Sequence, residues 1–224
     1  MSAPAIGTPA IGTPVISPPA IALPLPERIA LPFVVFTSAY AAAFLVARRA
    51  LRPLDLRRES VEIVRLRESM PNVTVAQLTH AHTALARLST AIGVLQGPLY
   101  LALLGITVWG FARVAGAHWT LRTALRTIVS AGGALVARQI GLAIGAFASD
   151  LGSVDAPNQL SLGPARYVRP DSGLLALLSS LDIFSLVLVV LLAALIFRAT
   201  GLSRRRAIGV AFISWAVWLA PSLL

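Results

Sequence analysis

Residues 29–47 read IALPFVVFTSAYAAAFLVA, nineteen residues without a charge, flanked by Arg28 on one side and by Arg48, Arg49 and Arg52 on the other. At about 1.5 Å of rise per residue, a helix of this length just crosses a hydrocarbon core of ~30 Å. Pro32 falls in its first turn, where a missing N–H costs little. The stretch therefore predicts a transmembrane helix. The same reading recurs downstream, at 88–112 without a charge, at 127–149 around Arg138, at 174–197 around Asp182, and at 207–224 to the last residue. The expected fold is all-α: a polytopic membrane protein, a five-transmembrane-helix bundle.

Composition points the same way. Hydrophobic residues make up 57% of the 224 and charged residues 12%, with a mean hydropathy of +0.80. Soluble domains carry roughly 25% charged residues, about twice this share. A water-soluble fold of this size lacks the charges to cover its surface, and lipid is the simplest alternative solvent. The net charge of +10 raises the question of nucleic-acid binding. The basic residues, all nineteen of them arginine, lie mainly beside the apolar runs, where membrane proteins keep them. No nucleic-acid partner is expected; the bilayer is. With no cysteine, thiolate metal sites and cysteine catalysis are excluded. His80 and His82 are two apart, so on a helix they diverge rather than converge on a metal. No metal and no cofactor are expected.

The flanking segments differ from the spans. Residues 1–26 carry seven prolines and repeat PAIGT with a five-residue period. Each proline removes a backbone donor, so the segment is expected to be a disordered Pro/Ala/Gly-rich leader. It has no basic start and no unbroken apolar core, and so does not read as a signal peptide. Residues 27–224 form the membrane domain. Within it, 54–87 is polar and strongly charged. Arg58 and Glu62 are four apart and Glu62 and Arg65 three apart, spacings that let a solvated helix face pair locally. Met70-Pro71-Asn72 should end that helix. Thr74-Val75-Ala76-Gln77 has the form of a capping box opening the next. This segment is expected to be a charged hairpin at the membrane surface leading into the second span.

Orientation draws on arginines in the short loops. The loops around Arg113, Arg122 and Arg126, around Arg166 and Arg169, and around Arg198 and Arg204–Arg206 together favour a cytoplasmic N-terminus. The first loop, with eight arginines and four acids, favours the reverse.

Two charges inside spans are functional candidates by default. Arg138 lies about twelve residues from the loop end of its helix, and Asp182 about eight residues into the next. Those depths differ by about 6 Å, a gap an arginine can reach across. Arg138 and Asp182 are therefore expected to pair between the third and fourth helices. Gln96, beside Gly97-Pro98 in the second span, can bond across helices where proline frees a carbonyl. Gly141 and Gly145 form a Gly-x-x-x-Gly that lets another helix approach. No nucleophile–base constellation, metal-protease motif or phosphate-binding glycine loop is present, so no enzyme is expected.

Three short elements carry a family resemblance. Leu181-Asp182-Ile183-Phe184-Ser185, Gly201-Leu202-Ser203-Arg204-Arg205-Arg206-Ala207 and the closing Trp215 and Trp218 resemble the end of bacterial Yip-domain proteins. Upstream, Met70-Pro71-Asn72-Val73-Thr74 with Gln77 resembles the family's segment before its second span. These proteins are relatives of the eukaryotic Yip family, which associates with Rab GTPases. Where the family often has Trp after the Phe-Ser of the fourth span, this chain has Leu186 and Val187. The resemblance implies a five-helix bundle in the bacterial cytoplasmic membrane with a cytoplasmic N-terminus and no established catalytic residue. The leading expectation is a non-enzymatic protein that binds lipids, other membrane proteins or itself. The alternative is a small transporter or channel subunit with Arg138, Asp182 and Gln96 in a polar path.

Overall fold

The computed structural model describes residues 30–70, 72–151, 154, 157–168 and 175–218. The expected leader and the last six residues of the expected fifth span lie outside them. Helix α1 covers Ala30–Ser69 and α2 Val75–Val114, forty residues each. At the helical rise both are ~60 Å long, twice a hydrocarbon core. They are joined by a turn at the expected position. Thr74 accepts the Gln77 amide (3.3 Å), and the Gln77 side chain accepts from the Thr74 amide (3.0 Å), a complete capping box. Next come α3 (Leu121–Ala131) and α4 (Gly133–Ala148), nearly continuous through Gly132. Single 3-10 turns at Pro157–Leu160 and Pro164–Tyr167, and the short α5 (Leu175–Ser179), lead to α6 (Ile183–Thr200) and α7 (Arg204–Val217). No strand occurs among the described residues.

Four helical stretches are long and apolar enough to cross a membrane: α1, α2, Leu121–Ala148 and α6. The fifth element, α7, has fourteen described helical residues and packs on α6 and α2 within the same bundle.

Glycine notches set the packing. Phe36, Tyr40 and Phe44 recur every four residues along α1 and stack, with ring centroids 5.8 and 6.3 Å apart. Each ring lies where a glycine has left room: Phe36 at Gly132, Tyr40 at Gly97, Phe44 at Gly93. A Cβ on Gly97 would meet the Tyr40 ring at 2.4 Å. The order of Gly97 and Gly93 along α1 makes α2 antiparallel to it, and Phe36 at Gly132, Tyr40 at Gln139 and Ala50 clustered with Ala146 make α4 parallel to it. Arg206 of α7 reaches the Ala115 carbonyl while Trp218 reaches Thr107, so α7 is antiparallel to α2. The bundle alternates up and down through five elements around Leu104, Val108, Ile128, Leu192 and Ile196, all fully buried. Outward lie Leu95, Leu99, Ile144, Phe147 and Val190, each more than half exposed, as lipid-facing positions would be.

Four sequence expectations need correction. First, the charged segment 54–87 is a helical hairpin, but its two helices have no boundary with the apolar runs: they are the unbroken continuations of α1 and α2, through Pro53 on α1. Arginine, leucine and alanine are strong helix formers, so the change from apolar to charged sequence leaves the backbone undisturbed. Second, the helix of the third span starts earlier than residue 127, at Leu121, because Thr120 caps it through the Thr123 amide. Third, the fourth span is not one helix over 174–197. It breaks at Ser180–Asp182 between α5 and α6. Fourth, Glu62 does not pair with Arg58 or Arg65 along its own helix but faces His82 of α2, as described below.

Candidate functional site

The break before α6 is made by Asp182. Its Oδ1 accepts from the Ser185 amide (2.7 Å) and the Ser185 hydroxyl (2.9 Å), so it caps α6. Its Oδ2 meets Arg138 Nε of α4 at 2.5 Å, and Arg138 Nη2 donates to the Ser179 carbonyl (3.0 Å). Asp182 is 3% exposed. The expected pair therefore forms, but by a different route from the one its depth suggested. Asp182 does not sit two turns into a helix; it starts one, where the helix dipole also favours its charge.

A loop covers this junction. Asn158 Nδ2 donates to the carbonyls of Ala165 (2.8 Å) and Val168 (3.0 Å), which folds residues 158–168 into a compact cover. Gly163 lies so close that a Cβ on it would meet the Leu181 carbonyl oxygen at 2.7 Å. On the other side Gly141 receives the Phe184 ring, and Gly145 faces Leu160. Both glycines of the Gly-x-x-x-Gly are thus occupied from within the chain. Beside Arg138, Gln139 contacts the Tyr40 hydroxyl at 3.4 Å, a link that no motif in the sequence announced. Gln96 is elsewhere. It is exposed on the outer face of α2 between Leu95 and Leu99, with no hydrogen bond to Arg138 or Asp182.

The second polar region is the arm that α1 and α2 form beyond their apolar halves. At its base Arg48 Nη2 bridges to the Ala86 carbonyl (2.9 Å) and Ser89 Oγ (3.0 Å). One and two turns further out His82 lies between two carboxylates of α1, Glu59 at 3.3 Å from Nδ1 and Glu62 at 3.5 Å from Nε2. An open groove of about 1680 Å³ runs along this stretch, lined by seven arginines and three carboxylates. Asp55 is exposed by area, yet the groove walls displace enough water to push its carboxyl above the usual range. Arg48 and Arg58 pull it back down, and Glu59 adds to the rise. Leu54 anchors the base, buried with Ala50 against Ala146, Val154 and Leu160. Among the described residues no group of three side chains is arranged to hold a metal ion.

No family model, curated protein or solved structure matches this chain.

Proposed function

We propose that the chain is a five-span, Yip-like integral membrane protein of a bacterial cytoplasmic membrane, acting without catalysis by binding lipids or other membrane proteins. The observation that carries this reading is the arm. Two apolar helices that need only about twenty residues each to cross a bilayer continue as a charged, solvent-facing pair for a comparable length. A charged extension of that size has no role in spanning and suits contact with headgroups or with a partner's soluble surface. The family likeness rests on the residues quoted above. Its motifs coincide with helix boundaries here: Asp182 and Ser185 start α6, Gly201 ends it at φ +68°, Ser203 caps α7 and Thr74 caps α2.

The transporter alternative asks Arg138, Asp182 and Gln96 to share a path. The commitment of Arg138 and Asp182 to one another and the outward placement of Gln96 weigh against it. In proteoliposomes the purified chain should pass neither K⁺ nor H⁺ above the background of empty vesicles, and a photo-crosslinker at the exposed Val64 should give a discrete adduct with a lipid or a membrane protein. Flux that Arg138→Met abolishes would replace this reading with the transporter. The proposed cytoplasmic N-terminus places the arm on the opposite side. A cysteine at Ser69, in a chain with none of its own, should then label in intact cells. Labelling only after permeabilisation would reverse the orientation.

A further inference from the structure

We propose that the groove at the base of the α1–α2 arm is a binding site for the phosphate of an anionic phospholipid headgroup. This rests on the reading of the arm as an interaction element and names its ligand. Arginines beside a span are ordinary in membrane proteins, and alone they imply only orientation. Here three further features act together.

The first is convergence. Arg49 and Arg52 from α1 and Arg87 from α2 line one groove rather than spreading around the bundle. The second is the fate of the acids. Glu59 and Glu62 are turned to His82, and the arginines that act on Asp55, the groove's third carboxylate, are Arg48 and Arg58. Arg49, Arg52 and Arg87 make no salt bridge with any described carboxylate. The third is position. Arg48 and Arg49 follow directly on the uncharged run ending at Ala47, and Arg87 precedes the run starting at Leu88. With the apolar halves in a bilayer, the groove opens at the level of lipid phosphates, and exposed Leu45 and Leu88 mark where acyl chains begin. Guanidinium groups bind phosphate oxygens in parallel pairs. Basic pockets between membrane helices are suited to anionic headgroups for this reason.

The test uses the full chain reconstituted in vesicles of equal phosphatidylglycerol and phosphatidylcholine, gently re-extracted, with the retained lipids measured. Phosphatidylglycerol should be enriched over phosphatidylcholine. In Arg49→Gln/Arg52→Gln/Arg87→Gln the enrichment should fall by up to about fivefold for each arginine removed. Arg48 is left intact because it ties the two helices together. Arg198→Gln/Arg204→Gln/Arg205→Gln removes the same charge from the far end of the bundle and should leave the enrichment unchanged. Arg49→Lys/Arg52→Lys/Arg87→Lys keeps the charge and spares folding, and should retain only part of the enrichment.

Equal enrichment in wild type and the glutamine variant would overturn the proposal. So would full enrichment in the lysine variant, or an equal loss in the far-end control, since either reduces the effect to bulk charge. Displacement of the lipid by excess inorganic phosphate would transfer the site from a membrane ligand to a free anion and overturn it too. Flux in the vesicle assay above would refute the interaction reading without touching the lipid result, so the two failures are distinguishable.

Discussion

The two halves of α1 are one helix built under two sets of rules. From Ala30 to Ala47 it is held by shape: three stacked rings fill three glycine notches on α2 and at the α3–α4 joint. From Arg48 to Ser69 it is held at its base by Ala50 and Leu54 packed with Ala146, Val154 and Leu160, and otherwise by polar ties to α2: Arg48 to Ala86 and Ser89, and Glu59 and Glu62 to His82. Lipid offers apolar groups no advantage in leaving it, so helices there associate through close packing and scarce, fully satisfied polar contacts. Water screens and competes for every exposed charge, so ties in the arm are individually weak and leave arginines available for other partners. The lesson is one of division: the inner half fixes the structure, and the outer half is free to bind.

The largest test of that division is at Asp182. Asp182→Ala should cost about 3–5 kcal/mol, because it leaves Arg138 without its counter-charge and also removes a helix cap. Asp182→Asn keeps a capping oxygen and should cost about 1 kcal/mol less. Adding Arg138→Met to Asp182→Asn should recover much of the remainder, since the abandoned charge is then gone. Thermal unfolding in a fixed detergent reads all three. A double variant no more stable than Asp182→Asn alone would mean that the pair contributes little.

Packing comes next. Gly97→Ala drives a methyl into the Tyr40 ring and should destabilise the bundle by about 1–3 kcal/mol. Ala84→Leu, on the exposed face of the arm, adds three carbons and should change stability by less than about 0.5 kcal/mol. Similar effects at the two sites would erase the contrast between the halves.

The sequence made some of this legible and hid the rest for identifiable reasons. Uncharged runs locate the apolar halves because charge is excluded from lipid whatever the packing. Thr74 and Gln77 announce their capping box because it is local, complete within four residues. The Arg138–Asp182 pair was legible from cost, since two charges in apolar surroundings need each other. How Asp182 reaches Arg138 was not. The unbroken apolar run around Asp182 looks like one helix, and only the Ser185 hydroxyl two positions past Ile183 hints that the aspartate is a cap. The surroundings of His82 are hidden because its partners, Glu59 and Glu62, lie twenty and more positions back in sequence, across the hairpin. Gln96 looked functional for being polar in a span. Which side of α2 faces lipid depends on where Gly93 and Gly97 point, and that is a property of the packed bundle.

A smaller effect is expected at the tip of the arm. Thr74→Ala removes the capping box and should cost about 1 kcal/mol. Because the tip is far from the bundle core, the loss should appear as faster amide hydrogen exchange around residues 75–80 and hardly at all in the unfolding temperature. A full shift in global stability would show that arm and bundle unfold as one unit, contrary to the division drawn above.

The smallest effect is electrostatic and falls at the boundary between the halves. Asp55 has its folded-state carboxyl pKa raised by loss of surrounding water, so the neutral acid fits the groove better than the carboxylate. A raised pKa favours the packed arm fully below the unfolded value, and the benefit is lost as pH rises through the folded one. The base of the arm should therefore gain protection, relative to the intrinsic exchange rate at each pH, as the pH falls. Glu59, Glu62 and His82 line the same groove, so wild type alone cannot isolate the cause. Asp55→Asn holds the site neutral throughout: near pH 7 it should protect residues 50–60 better than wild type, and the difference should shrink as the pH falls. If the two proteins differ by the same amount at every pH, the effect comes from the amide's shape and the groove does not disfavour the Asp55 charge.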